Sequence, residues 1–167
     1  MTQKVKRSYL EIKSVLDLKE VVKPSYDYTL NLLDPINFQL NKFFYKNIGK
    51  KHKWIDRLVW TESKWIEYVS NKNVKTYIFK KKKDLVGFFE LLEHHEKKEI
   101  EIAYFGILEE YQNKKLGSYL LSSAIKKSFE NKIDRVWLHT CSLDHKHALN
   151  NYISRGMKIF KTETVII

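Results

Sequence analysis

The chain has 167 residues, of which 43% are hydrophobic and 14% aromatic, with only two prolines and five glycines. This length and composition predict one globular domain over residues 1–167 and exclude a disordered chain or several domains joined by flexible linkers. The formal net charge is +11, yet only four of the 31 cationic residues are arginines, namely Arg7, Arg57, Arg135 and Arg155.

The positive charge has two explanations that the sequence leaves open. Lysines on a solvated surface need no partner, whereas a functional excess of charge would attract a polyanion. Nucleic acid is the less favoured polyanion, because its sequence-specific readers rely on arginine. The chain has no apolar run of membrane length and no apolar segment at its amino terminus. We therefore expect no membrane association and a cytoplasmic location.

The predicted elements alternate along the chain. Residues 8–13 and 26–33 predict strands, and residues 37–47 predict a helix. A second helix follows the N-cap candidate Thr61, with Trp65, Ile66 and Val69 expected to point inward. The rest of the chain predicts, in order, strand 74–80, strand 85–92, strand 99–107, helix 114–130, strand 134–141, helix 145–155 and strand 157–166.

The segment from Glu99 to Phe129 reads as a strand, a tight loop and a helix with one apolar stripe. A strand that runs straight into a helix leaves backbone N–H groups unpaired, and these groups favour an anion such as a diphosphate. Gly117, which has no Cβ, lets a ligand approach the backbone closely. The segment therefore predicts a phosphate cradle at the carboxyl end of strand 99–107.

The loop of this segment resembles a signature of the GNAT superfamily of N-acetyltransferases. That signature is Gln/Arg-x-x-Gly-x-Gly/Ala, and Gln112 and Gly117 match it, whereas Lys115 replaces the first glycine.

A later segment, residues 143–157, resembles the family's helix motif Asn-x-x-Ala-x-x-x-Tyr-x-x-x-Gly-Phe. Ala148, Tyr152 and Gly156 match by spacing, and His145 stands where the family usually has asparagine. Asp144 is expected to cap this helix, and Gly156 to end it in a left-handed conformation.

The resemblance covers residues 74–160 and implies an α/β (α+β) fold. Its mixed, mostly antiparallel central sheet would be flanked by helices, with a splayed strand pair that holds coenzyme A. Residues 1–73 would then supply N-terminal strands and helices that form the acceptor side.

The resemblance also implies acetyl-CoA as the cofactor. The backbone of Phe105, Gly106 and Ile107 would bind the pantetheine arm, and the Ile107 N–H would polarise the thioester carbonyl. The other expected cofactor-binding residues are Gln112, Asn113, Lys114, Lys115, Leu116, Gly117, Ser118, His145, Ala148 and Tyr152.

The implied reaction is acetyl transfer to a primary amine by direct attack, with Tyr152 protonating the leaving thiolate. Glu101 is the first candidate for the base that takes the amine proton. It precedes Ile107 by six residues, which places both on one strand face by the period of two, and related lysine acetyltransferases carry a glutamate at this offset. Glu90, on the neighbouring strand, is the alternative.

Two further features stay open or are excluded. Asp56 would either line the acceptor pocket or form a surface pair with Arg57. His139, Cys141 and the two histidines at 145 and 147 fit no common zinc spacing, so we expect no metal site.

The acceptor amine could belong to a small molecule or a protein, and the chain could form a homodimer. Two other functions remain open: a non-catalytic CoA-binding module and a basic nucleic-acid-binding protein.

Overall fold

The computed structural model describes residues 2–167 and contains a seven-stranded mixed sheet with four helices. The strands are β1 Lys4–Ile12, β2 Tyr28–Leu32, β3 Val74–Lys81, β4 Asp84–His94, β5 Glu99–Ile107, β6 Arg135–Cys141 and β7 Lys158–Ile166. The helices are α1 Phe38–Gly49, α2 Glu62–Ser70, α3 Leu116–Ser128 and α4 Ala148–Ser154. Among the described residues, no helix is long and apolar enough to cross a membrane.

The strand order is β2-β3-β4-β5-β6-β1-β7, and among the described strands the one parallel pair is β5 with β6. This confirms the predicted mixed, mostly antiparallel sheet. The position of β1 was not anticipated, because this first strand lies between β6 and β7 rather than with the other N-terminal elements. The N-terminal residues of β1 therefore lie in the half of the sheet that contains β6 and β7.

The parallel strands β5 and β6 separate soon after they meet. They pair over three positions, from Glu99 with Arg135 to Glu101 with Trp137. Beyond this point residues 102–107 of β5 keep β4 as their sheet neighbour, and the opposite edge of β5 is free. A cleft therefore opens at the carboxyl end of β5, as the predicted splayed strand pair requires.

Two apolar cores cover the two faces of β4. Phe89 belongs to the larger core, which α3 completes with buried side chains such as Leu120. Phe88 faces the other way and stacks on Phe44 of α1, with 5.0 Å between the ring centroids and 6° between the ring planes. The alternation of side chains along β4 thus fixes α1 and α3 on opposite faces of the sheet.

The predicted starts of α1 and α2 are confirmed by their caps. Asn37 accepts a hydrogen bond from the Gln39 N–H at 3.1 Å, and Thr61 accepts one from the Lys64 N–H at 3.2 Å. The inward orientation predicted for Ile66 is wrong, because this side chain is 41% exposed.

The last two helices start later than predicted. Asn113 and Lys115 have φ angles of 63° and 62°, and this left-handed backbone delays α3 until Leu116. Asp144 does not cap α4, because its carboxylate accepts hydrogen bonds from the Thr140 hydroxyl and, at 3.1 Å, from the Cys141 N–H. Gly156, with φ of 107°, follows the end of α4 in the predicted left-handed conformation.

Candidate active site

A cavity of about 820 Å³ occupies the cleft where β5 and β6 separate. It extends from the start of α3 and from α4 to the segment between α1 and α2. The predicted site residues that line it are Glu101, Phe105, Gly106, Ile107, Gln112, Asn113, Lys115, Leu116, Gly117, Ser118, His145, Ala148 and Tyr152. The fold therefore brings nearly all of them to one continuous space.

The free edge of β5 is offered by Phe105 and Ile107 rather than by Gly106. The Leu108 N–H donates to the Val86 carbonyl at 2.8 Å, so alternation along the antiparallel pair directs the Gly106 backbone towards β4 as well. The backbone groups of Phe105 and Ile107 then point into the cleft. Packing explains why residue 106 is a glycine, since a Cβ there would lie 2.7 Å from Ile48 Cγ2.

The loop before α3 leaves backbone donors free at the start of the helix. Lys115 occupies the N-cap position without a side-chain cap, so the first N–H groups of α3 have no partner within the helix. A Cβ at Gly117 would meet the Asn151 amide nitrogen at 3.8 Å, which is ordinary contact, and the backbone there is open to the cavity. The free donors and the helix dipole suit a diphosphate.

The side chains of Gln112, Lys114 and Lys115 in this loop make different contacts. Gln112 donates a hydrogen bond to the Ile107 carbonyl at 3.1 Å and so ties the loop to β5. Lys115 lines the cavity. Lys114, which was expected to bind the cofactor, does not line it, and its Nζ lies 5.6 Å from the centroid of the Tyr111 ring.

Tyr152 lies in α4 with 7% of its surface exposed, and it lines the cavity. Its ring packs edge-on against Phe105, with 6.4 Å between the centroids. Burial raises the pKa of Tyr152, and the negative charge of Asp144 raises it further. The phenol therefore keeps its proton at neutral pH, as a proton donor in the cavity would require.

Glu101 also lines the cavity, but not on the strand face that was predicted. Glu90 pairs with Tyr104 and Leu91 pairs with Ile102, so Ala103 is an extra residue and forms a β-bulge. The bulge reverses the alternation of side chains, and the expected common face of Glu101 and Ile107 is wrong. Glu101 shares its face with Tyr104, towards the segment between α1 and α2.

Glu90, the alternative base, does not reach the cavity. Its side chain is fully buried and accepts hydrogen bonds from Arg57 at 3.2 Å and from Asn41 at 3.0 Å. The proposed surface pair of Asp56 and Arg57 is therefore wrong, because Arg57 turns inward. Asp56 is exposed and lines the cavity, which is the other alternative that the sequence left open.

Aromatic side chains line the part of the cavity beside the segment between α1 and α2, and sequence reasoning named none of them individually as a site residue. They are Trp54, Trp60, Tyr68 and Tyr104. The aromatic residues in the segment between α1 and α2 were the available signal. These rings lie together on one wall of the cavity because the Arg57 side chain turns inward among them. No local sequence pattern indicates that orientation of Arg57.

Three histidines that line the cavity form an aromatic group. The His145 ring lies 6.2 Å from that of His52 and 5.4 Å from that of His147, measured between centroids. Burial lowers the pKa of His145, and the neighbouring histidines lower it further, which favours the neutral ring. Across residues 2–167, no three His, Cys, Asp or Glu side chains are placed to hold a metal ion.

Comparison with known families decides the classification. The model of the acetyltransferase (GNAT) family matches residues 36–157. The chain belongs to the GNAT family. A search of curated protein sequences gave no match. The segment that matches this GNAT model contains the loop before α3, Glu101 and Tyr152.

Solved structures support the GNAT fold. GCN5-related N-acetyltransferases from Kribbella flavida and Sphaerobacter thermophilus superpose with TM-scores of 0.67 and 0.69, each at 14% identity. They cover 99% and 97% of this chain, which spans 58% and 50% of theirs. An aminoglycoside acetyltransferase from an uncultured soil metagenomic sample has a TM-score of 0.65 at 12% identity, covering 80% of this chain and 90% of its own.

Proposed function

We propose that this GNAT domain transfers an acetyl group from acetyl-CoA to a primary amine by direct attack. The observation that carries the proposal is the shared cavity. In it, a free strand edge and an anion cradle adjoin a buried phenol, Tyr152, and a carboxylate, Glu101.

The chain's residues fit the cofactor at two places. The outward backbone groups of Phe105 and the N–H of Ile107, whose carbonyl already accepts from Gln112, would pair with the pantetheine amides as a neighbouring strand does. The first N–H groups of α3 would bind the diphosphate, and Gly117 leaves the required space. When bound, acetyl-CoA would supply an activated thioester.

Glu101 would accept the proton of the amine, and Tyr152 would donate a proton to the leaving thiolate. An amine with an ordinary pKa near 10.4 is protonated at pH 7, and freeing it costs roughly 4–5 kcal/mol. Glu101 accepts that proton at its carboxylate. Tyr152 holds a proton at its phenol oxygen for the leaving thiolate, and its raised pKa keeps that proton available.

The residues on the acceptor side of the cavity favour an acceptor whose amine is attached to an aromatic or otherwise flat molecule. Aromatic rings line this part of the cavity, and Asp56 adds a carboxylate that can attract an ammonium group. Lys53, Lys64 and Arg7 also line it, so an anionic group on the acceptor would find counter-charges.

An amine panel tests the proposal. The panel should include aminoglycosides, aromatic amines, amino acids and lysine peptides, with free thiol release followed after addition of acetyl-CoA. Release that depends on an amine is expected. A chain that binds acetyl-CoA but releases no thiol with any acceptor would point to a non-catalytic binding module.

Calorimetry tests the cradle separately. Gly117→Asp would place a negative charge beside the diphosphate, whereas Gly117→Asn adds a side chain of nearly the same size without the charge. We expect Asp to abolish acetyl-CoA binding and Asn to weaken it less. Unchanged acetyl-CoA affinity in the Gly117→Asp variant would show that the loop before α3 does not bind the diphosphate.

A further inference from the structure

We propose that His94 carries the proton from Glu101 to bulk water during turnover. The inference rests on the proposed function, because it concerns the base of that reaction. His94 would be a positioning residue that acts through the carboxylate and does not touch the acceptor.

The two side chains are in direct contact across neighbouring strands. His94 ends β4, and its Nε2 lies 3.1 Å from Glu101 Oε1. The imidazole also stacks on Trp137 of β6, with 5.9 Å between the centroids and 24° between the planes. These contacts hold the ring in an orientation that directs one nitrogen to the carboxylate.

The surroundings of the two groups differ in the way that a proton outlet requires. Glu101 lines the cavity and its side chain is 16% exposed, whereas His94 lies outside the cavity and its side chain is 36% exposed. An acceptor and a cofactor that fill the cavity would displace water from the carboxylate. The imidazole would still connect Glu101 to solvent.

The proton balance closes without another reactant. With the ring proton on Nδ1, Glu101 takes a proton from the ammonium nitrogen and passes it to the imidazole Nε2, which restores the carboxylate. The imidazolium then loses its Nδ1 proton to water, and exchange of the ring protons with water returns the neutral ring to its starting tautomer before the next turnover.

The charged groups on the adjoining strands are engaged in pairs of their own. Arg135 of β6 binds Glu99 at 3.0 Å and Glu11 of β1 at 2.8 Å. Beside His94, Glu93 contacts the His95 Nδ1 at 3.0 Å. On the cavity side, the nearby titratable group of β6 is His139, whose pKa is lowered by burial and by Arg7 although the Glu101 charge acts to raise it.

The neighbouring pair provides a matched control. His95 and Glu93 form the same type of contact, but neither residue lines the cavity. His94→Gln keeps a hydrogen-bonding side chain and removes the titratable ring. His95→Gln makes the same change in the neighbouring pair. The activity of His94→Gln and His95→Gln should be measured from pH 6 to pH 9.5 with the best amine from the panel.

We expect His94→Gln to lower kcat about tenfold near pH 7 and less than about threefold at pH 9, where more of the amine is free. His95→Gln should follow the parent at every pH. Imidazole added to the buffer should restore part of the activity of His94→Ala.

A loss in His94→Gln that is equal at all pH values, or no loss, would overturn the relay while leaving the transferase intact. Failure of imidazole to rescue His94→Ala would also count against it. Absence of activity in the parent would instead overturn the proposed function and the relay with it.

Discussion

The guanidinium of Arg57 lies 3.0 Å from the Glu90 carboxylate inside the protein, with side chains that are 6% and 0% exposed. Aromatic rings surround the cation, and the centroids of Tyr68 and Tyr104 are each 4.2 Å away. Burial acts to lower the pKa of Arg57, but the charge and hydrogen bond of Glu90 together with the two tyrosines outweigh it and leave the pKa above its ordinary value. Arg57 therefore stays charged, and its contact with Glu90 fixes the segment between α1 and α2 to β4.

Loss of one partner should be costly. Glu90→Gln would leave a buried guanidinium without its counter-charge, and we expect the free energy of unfolding to fall by about 3 kcal/mol in urea denaturation. The double variant Arg57→Met, Glu90→Leu should recover much of that loss, because both charges leave together. A single variant within about 0.5 kcal/mol of the parent would contradict this account.

Glu101→Gln should reduce turnover most strongly at neutral pH, by about 10²-fold or more, with relief as the pH rises and free amine accumulates. The carboxylate lines the cavity, so its loss should leave unfolding nearly unchanged, unlike the loss of Glu90. Steady-state rates over a pH series, alongside a thermal melt, separate the two glutamates. A pH-independent decrease would remove the role of base from Glu101.

Tyr152→Phe should lower kcat by about 10²–10⁴-fold while acetyl-CoA affinity is retained, because the ring packing against Phe105 survives. Burial and Asp144 raise the pKa of Tyr152, so the acid form persists to higher pH than for an ordinary tyrosine. The parent should therefore show no alkaline loss of rate from this group below about pH 10. A turnover number within a few-fold of the parent would exclude the phenol as the acid.

Lys115→Gly should stabilise the protein by about 1 kcal/mol, because lysine pays a steric cost in the left-handed conformation that glycine does not. This corresponds to a rise in Tm of about 2–4 °C. The same change removes a charge beside the cradle and should flatten the salt dependence of acetyl-CoA binding.

Lys114→Gly is the matched control for this change. Lys114 is the adjacent lysine, with no positive φ and no place in the cavity lining. It should show neither the gain in stability nor the change in salt dependence. Equal behaviour of the two variants would mean that the backbone at Lys115 carries no strain.

The strength of sequence-based prediction varied with the range of the interactions. The cap Thr61 and the left-handed Gly156 are local features, and each was predicted correctly. The bulge at Ala103 depends on how β5 pairs with β4, so the period of two placed Glu101 on the wrong face. Asp144 likewise found partners in β6 that are closer than the helix it was expected to cap.

The sequence by itself determined the order of elements and the family, because the spacing of Gln112, Gly117, Ala148 and Tyr152 reflects local backbone geometry that short motifs encode. Only the tertiary structure decided which glutamate faces the cavity, and it inserted β1 between β6 and β7. Both outcomes follow from pairings between segments that are distant in the chain. Such pairings minimise the free energy of the whole sheet and core, and no local window of residues contains that information.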